Sequence, residues 1–253
     1  MYAQERQRQI LAALEESGSV AVTELAERFE VTTETVRRDL DQLASAALLQ
    51  RVHGGAVPRR TDSVEPDLAT RSTTNTPAKA RIAAAAARLL PSDPRTALLV
   101  DAGTTTAALL PHLAGRRGPL LTNAPAIAQA ALSHPDLEVQ ILPGRLRATT
   151  QAAVGSTTVD ALRRLHPEVA VLGCNGMTAA GFTTPDVDEA AVKAAMVAAA
   201  DHRIMLADSS KAGVTQLVTF AAIADVDVLV TDDGLSDPAE RSLRDQGIEV
   251  VRA

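Results

Sequence analysis

Seven short apolar runs punctuate the chain from its middle to its end, at residues 96–100, 119–121, 138–142, 169–172, 203–206, 226–230 and 248–251. Longer stretches of helical composition separate them. A run that is apolar at nearly every position, not at every second one, is buried on both faces. That is the condition of a parallel sheet with helices on either side. The class expected for this part of the chain is therefore α/β. With 46% hydrophobic and 22% charged residues the balance is that of an ordinary globular protein. Three Phe, one Tyr and no Trp leave the cores to Ala, Leu, Val and Ile, and they argue against stacking on single-stranded nucleic acid.

Nearer the N-terminus the periodicity is helical. Within residues 4–17, Ile10, Leu11 and Leu14 share a face, and a second helix is expected from Thr23, as its N-cap, with Leu25, Ala26 and Phe29 inward. The third begins at Thr32, whose hydroxyl can cap it, with Val31 and Val36 placed as a hydrophobic staple. Val36, Leu40, Leu43 and Ala47 form its inner stripe; Glu34, Arg38 and Asp41 lie opposite, with Thr33, Thr35 and Arg37 on the flanks. Residues 48–52 and 56–57 read as strands about the turn His53-Gly54-Gly55.

Three short helices and a β-turn-β wing make a winged helix-turn-helix, whose third helix fits the major groove of duplex DNA. Thr32, Thr33, Thr35, Arg37 and Arg38 suit bases or phosphates, as do Arg51, His53 and Gly54 in the wing. The residues alone also allow a helical unit that merely packs on a larger domain. Net charge gives no help, being −6 for the chain, and residues 1–60 hold 8 basic side chains against 9 acidic ones. Placement carries the argument instead, because Arg37, Arg38, Arg51, His53, Arg59 and Arg60 gather in the second half of this segment.

From residue 58 to 76 periodicity is lost, so the expected division is a winged helix at 1–57, a linker at 58–76 and a larger domain at 77–253. A single cysteine, Cys174, excludes an internal disulfide and fits a reducing compartment. No signal-type segment opens the sequence and no run has the length of a membrane span, so a cytoplasmic protein without membrane contact is expected. The five histidines are scattered without ligand spacing. Neither a metal nor a cofactor is expected.

Nearly every apolar run ends in a small or polar cluster. These are Asp101 to Thr106, Thr122-Asn123, Pro143-Gly144-Arg145, Gly173 to Gly176, Asp208 to Lys211, and Thr231 to Asp233. In an open parallel sheet all of them lie at the carboxyl edge, where ligands bind. Asp101, Gly103, Thr104, Thr105 and Thr106 lead into a helix, and backbone N–H groups and hydroxyls there could hold a phosphate. The same residues would equally serve as a Thr-capped helix start. Lys211 and Arg145 or Arg147 could supply positive charge, or could be solvated.

The run Val-Thr-Thr-Glu-Thr-Val-Arg-Arg-Asp-Leu-Asp-Gln-Leu at 31–43, followed by Arg-Val-His-Gly-Gly-Ala at 51–56, resembles the signature of the DeoR-type bacterial regulators. The resemblance continues through Asp101-Ala-Gly-Thr-Thr, Thr122-Asn123, the Gly-Arg segment, Leu172-Gly-Cys-Asn-Gly and Ala207-Asp-Ser-Ser-Lys, and so covers essentially the whole chain. It implies a Rossmann-like effector domain resembling ribose-5-phosphate isomerase, an effector site that includes Asp101, Gly103, Thr104, Thr105, Thr106, Asn123, Arg145, Asn175, Asp208 and Lys211, and a phosphorylated sugar or related metabolite as ligand. It also implies a repressor that binds double-stranded operator DNA as a homo-oligomer, dimer or tetramer. The chain departs from the family pattern at Ala44, Ala47 and Pro143, where Glu, Gly and Gly are usual.

An aldose–ketose isomerase needs a carboxylate to shuttle its proton. Where related isomerases carry acids this chain has Cys174 and Asn175, so no catalytic residue is assigned and no turnover is expected. Asp186, Asp188 and Glu189 nearby sustain the alternative of an isomerase-like enzyme with an accessory helical domain.

Overall fold

The computed structural model describes residues 3–17, 19–45, 49–52, 54–58 and 65–253. His53, Arg59, Arg60 and Ala47, named above, lie outside them. The chain divides into two compact units, Met1–Val64 and Glu65–Ala253.

In the first unit, α1 (Ala3–Ser17), β1 (Val20–Ala21), α2 (Val22–Phe29) and α3 (Thr33–Ser45) precede the wing strands β2 (Leu49–Val52) and β3 (Gly55–Pro58). One core collects Ile10, Leu14, Leu25, Phe29, Val36, Leu40 and Leu43 with Leu49 and Ala56. These are the apolar faces read from the sequence. Val31 packs on the same core beside Val36, as a staple requires. The cap at Thr32 forms as well, its Oγ1 accepting from the Thr35 N–H at 3.2 Å.

The cap expected at Thr23 does not form. The helix opens one residue earlier, at Val22, after Ala21 in extended conformation without a side-chain cap. The Val22 N–H donates instead to the Gly54 carbonyl across the wing at 2.8 Å. β1 is the third strand of the wing sheet, in the order β1-β3-β2. Two residues long, it carries no periodic signal.

The second unit begins with α4 (Leu68–Thr73) and α5 (Thr76–Leu89), followed by β4 (Leu98–Val100), α6 (Thr104–Ala107), β5 (Pro119–Thr122), α7 (Pro125–Ala131), β6 (Glu138–Ile141), β7 (Arg145–Arg147), β8 (Ala152–Val154), α8 (Ser156–Leu162), β9 (Val169–Gly173), β10 (Gly176–Thr178), β11 (Gly181–Thr184), α9 (Val187–Ala199), β12 (His202–Leu206), β13 (Val218–Ala221), β14 (Val228–Thr231), α10 (Asp237–Arg244) and β15 (Glu249–Arg252). Each of the seven apolar runs supplies one strand of a parallel sheet, in the order β15-β14-β12-β9-β4-β5-β6. Successive residues of one strand face opposite cores. Leu98, Val100, Leu120, Val169, Val171, Ile204 and Val230 pack with Ile82 and Ala86 of α5 and with Ile127 of α7. Leu99, Leu121, Ala170, Leu172, Met205 and Leu229 pack with Leu162 of α8 and with Val192 and Met196 of α9. This double burial is why the inner strands read as continuous apolar runs, whereas the edge strand β6 is largely exposed and alternates Glu138 and Gln140 with Val139 and Ile141.

Two smaller features carried no such signal. The strands β10, β11 and β13 form an antiparallel sheet, and β7 pairs with β8 as a hairpin. They are short and rich in Gly, Thr and Arg.

The stretch expected as a linker also differs. The second unit starts at Glu65, not at 77, and residues 68–73 are helical. This helix buries no residue, so no apolar stripe marks it. Polar ties hold it: the Asp67 carboxylate accepts from the Thr70 N–H at 2.9 Å, and the Leu68 N–H donates to the Thr149 carbonyl at 3.0 Å.

Candidate nucleic-acid interface and effector site

The outer face of α3 is assembled by what its inner face must bury. With Val36, Leu40 and Leu43 in the core, Thr32, Thr33, Arg37 and Arg38 are left exposed and Thr35 half-exposed. Arg37 and Arg38 stand 3.8 and 3.6 Å from the Glu34 carboxylate, in exposed pairs that add little to stability and leave both guanidinium groups in solvent. Asp39, on the same helix, points the other way. It is 4% exposed and takes a two-point ion pair from the buried Arg6 guanidinium of α1, with the Arg6 Nη2 at 3.1 Å from its Oδ1. Hydrogen bonding to Asp39 raises the Arg6 guanidinium above its usual range despite burial. This tie between α1 and α3 was not anticipated from the sequence. The signal available was Asp39 lying one residue from Leu40 on an otherwise apolar edge.

Arg51 is bound within the unit, its Nε 3.0 Å from Asp41 of α3 and its Nη1 donating to the Gly55 carbonyl at 3.3 Å. It thereby fixes the wing to α3. The two wing glycines have different reasons. Gly54 adopts φ +81°, a left-handed conformation, whereas a Cβ on Gly55 would sit 2.0 Å from the Val20 carbonyl oxygen of β1. An open cleft of 370 Å³ between α3 and the wing is lined by Thr23, Thr33, Arg37, Arg51 and Gly54. Thus Thr33, Arg37, Arg51 and Gly54, singled out separately in the sequence, meet at one surface.

At the sheet's carboxyl edge the candidates fall into three groups. Asp101 and Asn123 are structural anchors. Asp101, 1% exposed, is bonded to the buried Lys193 ammonium of α9 and accepts from the Gly173 N–H at 3.1 Å, while Lys193 also donates to the Gly173 carbonyl at 2.9 Å. Asn123 accepts from the Ala102 N–H at 2.9 Å and donates to the Ala153 carbonyl at 3.2 Å. The Thr106 hydroxyl turns inward, 2.7 Å from the Asp101 carbonyl oxygen, and the residue is fully buried. Gly103, Thr104 and Thr105 remain partly open at the start of α6.

The second group is a cationic corner. Asp208, 3% exposed, accepts from Asn75 Nδ2 at 3.0 Å and from the Ser210 N–H at 3.2 Å. Lys79 of α5 donates from its ammonium to the Arg71 carbonyl, and burial lowers its pKa, opposed by Asp208 and reinforced by Lys211 and Arg71. Lys79, Lys211 and Arg71 thus share this corner with Asp208, and Arg71 also stands 4.0 Å from the Glu65 carboxylate. Lys79 and Asn75 were not expected here, because they belong to the stretch before the first strand.

The third group surrounds the β7 hairpin. Arg145 pairs with Asp188 at 2.6 Å in solvent. Arg147 is held by Glu65, by Asp186 at 3.0 Å and by Glu189 at 3.3 Å. Burial alone would lower its guanidinium, but bonding to Glu65 and the charges of Glu189 and Asp186 raise it. The Thr184 hydroxyl lies 3.2 Å from Asn175 Oδ1 and 3.4 Å from Glu189 Oε2, and Thr150 donates to the same carboxylate. The acids of an isomerase-like reading are therefore engaged in ion pairs and caps. Burial pushes the Cys174 thiol up to about 12, so it is no nucleophile at neutral pH. Among the described residues no cluster of His, Cys, Asp and Glu could hold a metal, and no helix is long and apolar enough to cross a membrane.

A winged helix with an exposed third helix, joined to an α/β unit with a polar carboxyl edge, defines the class: a DNA-binding transcriptional regulator with a sensor domain. The chain belongs to the DeoR family. The DeoR-like helix-turn-helix domain matches residues 6–61, and the DeoR C-terminal sensor domain matches residues 74–233. Similar proteins include the HTH-type transcriptional regulator FruR of Bacillus subtilis, 33% identical over 92% of each chain. The HTH-type transcriptional regulator GlpR of Haloferax volcanii is 33% identical over 98% of this chain and 96% of its own length. The glycerol-3-phosphate regulon repressor of Escherichia coli is 30% identical over 90% of each. Among solved structures, ribose 5-phosphate isomerase A from Methanocaldococcus jannaschii superposes on 55% of each chain at 13% identity and a TM-score of 0.39, too remote to bear on function.

Proposed function

We propose that the protein is a cytoplasmic, ligand-released repressor of a carbohydrate-metabolism operon. In this reading a homo-oligomer holds duplex operator DNA through Thr32, Thr33, Thr35, Arg37 and Arg38 of the helix-turn-helix, with Arg51, His53 and Gly54 in the wing. A phosphorylated sugar or related metabolite binds the sensor unit without turnover and shifts the population toward a weakly binding state. The observation that carries the reading is the cationic corner of Lys79, Lys211 and Arg71, around Asp208 at the carboxyl edge of the sheet. It has the charge to draw a phosphate, and Gly103, Thr104 and Thr105 offer N–H and hydroxyl donors. The repressor named for the glycerol-3-phosphate regulon supports the same direction.

Footprinting on the DNA flanking the protein's own gene tests the output half. A protected site whose affinity falls steeply with salt is expected, and its absence at low salt would reject operator binding. A thermal-shift screen against sugar phosphates tests the input half, since a ligand of the native state raises its melting temperature. Aldose–ketose conversion of any phosphorylated pentose or hexose would overturn the assignment as a non-enzyme.

A further inference from the structure

The segment that enters the sensor unit from the DNA-binding unit is tied to the candidate effector site at both of its ends. At its start Glu65, with a side chain only 8% exposed, is paired to Arg147, and the Leu68 N–H is bonded to the Thr149 carbonyl. At its end Asn75 donates to Asp208, and the Lys79 ammonium holds the carbonyl of Arg71 on α4. Both α4 and α5 pack against α6, the short helix that follows Gly103. Since α4 buries none of its own residues, these polar ties and that packing are what hold it.

Among these groups Lys79 is the cation on the buried face of α5. The residue is buried, and its ammonium donates to a neutral carbonyl. A buried ammonium gains more from an anionic oxygen than from a carbonyl, since the attraction between two full charges adds to the hydrogen bond and is strong where water is excluded. Lys79 also shares its corner with Lys211, Arg71 and Asp208, with Glu65 4.0 Å from Arg71; cations remain in excess there, so a dianionic group is attracted by the corner as a whole.

We propose that Lys79 is a ligand-binding residue of the sensor site, and that its transfer from the Arg71 carbonyl to the ligand's phosphate releases α4. The segment 65–75 then becomes the reporter. It is fastened in the unliganded protein and loosened in the liganded one, and it leads directly to the DNA-binding unit. This rests on the phosphorylated-ligand reading above.

The test uses the full chain with inorganic phosphate and glycerol 3-phosphate as probes and glycerol as the uncharged control. Melting temperature and amide hydrogen exchange over residues 68–73 are followed together. In the wild type, phosphate-bearing probes raise the melting temperature and speed exchange in α4, while glycerol does neither. Lys79→Gln keeps a donor for the Arg71 carbonyl but has no charge, so α4 stays protected and probe affinity falls at least about tenfold. Asn75→Ala loosens α4 without ligand and, because the ligand then has one tie fewer to release, binds the probes at least as tightly as wild type. If Lys79→Gln binds the probes like wild type, the assignment of Lys79 fails while the phosphorylated-ligand reading stands. If the wild type binds but exchange in α4 does not change, the release of α4 fails, a result that needs no variant to fold. If no phosphate-bearing probe stabilises the wild type, the underlying reading fails and the proposal with it.

Discussion

The Lys193 ammonium closes on the Asp101 carboxylate where β4 and β9 lie side by side and the strand order reverses. In an open α/β sheet that is the place where ligands settle; here a buried ion pair fills it, with the ring of Phe220 5.5 Å from the ammonium. Candidate ligand contacts lie to one side, around Asp208 and the start of α6.

Removing one partner of this pair leaves the other charged and dry. Lys193→Met is expected to cost about 3–5 kcal/mol of sensor-unit stability, read as a lower urea midpoint with unchanged slope. Asp101→Asn together with Lys193→Met should recover much of it, because the Gly173 N–H keeps an acceptor. A double variant no more stable than Lys193→Met alone would place the loss in packing instead.

The two wing glycines should respond differently. A Cβ on Gly54 meets nothing within 4 Å, so Gly54→Ala costs only its left-handed backbone, about 1–2 kcal/mol. Gly55→Ala instead drives β3 off the Val20 carbonyl. It should abolish operator binding and lower the melting temperature of the first unit by far more than Gly54→Ala.

On α3, Arg37→Ala and Arg38→Ala are expected to weaken operator binding by about 1–3 kcal/mol each where the arginine meets a base edge, with melting temperature unchanged because both side chains are exposed. Arg51→Ala should lower affinity and stability together, since it also loses Asp41 and the Gly55 carbonyl. Fluorescence anisotropy beside a thermal melt separates the two patterns. Equal melting temperatures for all three variants would contradict the bracing role of Arg51.

Acid should be felt at Asp186. Burial raises its carboxyl, but the backbone N–H groups of Glu189 and Asp188 and the Arg147 guanidinium outweigh burial and hold it below its ordinary 3.8. A carboxylate lowered by folding stabilises the native state above its unfolded pKa, and that contribution is lost as pH falls through the folded value. The melting-temperature difference between wild type and Asp186→Asn should therefore be constant from pH 7 to about 5 and close below about pH 4. A gap that persists unchanged to pH 3 would assign it to the helix cap alone.

What could be read from the sequence was what is buried in a regular pattern. The inner strands were legible because Leu98, Leu99 and Val100, and their counterparts, face two cores, and the Thr32 cap because its partner lies three residues on. Less was legible where the chain is held by single polar contacts between distant residues, as Glu65 is by Arg147 or Asn75 by Asp208. Lys193 did leave a trace, since Glu189, Val192, Lys193, Met196 and Val197 form one buried face of α9. A lysine on such a face needs a partner, but only the fold identifies it as Asp101. Lys79 sits likewise on the buried face of α5 with Ile82, Ala83 and Ala86.

The doubly covered sheet bears on how such a sensor diversifies. Its inner strands β4, β9 and β14 offer almost no position where a polar residue would be tolerated, as one core or the other claims nearly every side chain. Variation is channelled into the loops beyond the strand tips, where exchange is tolerated best. A lineage can thus acquire a new metabolite by exchanging a few tip residues on an inherited platform, with the DNA-reading unit untouched.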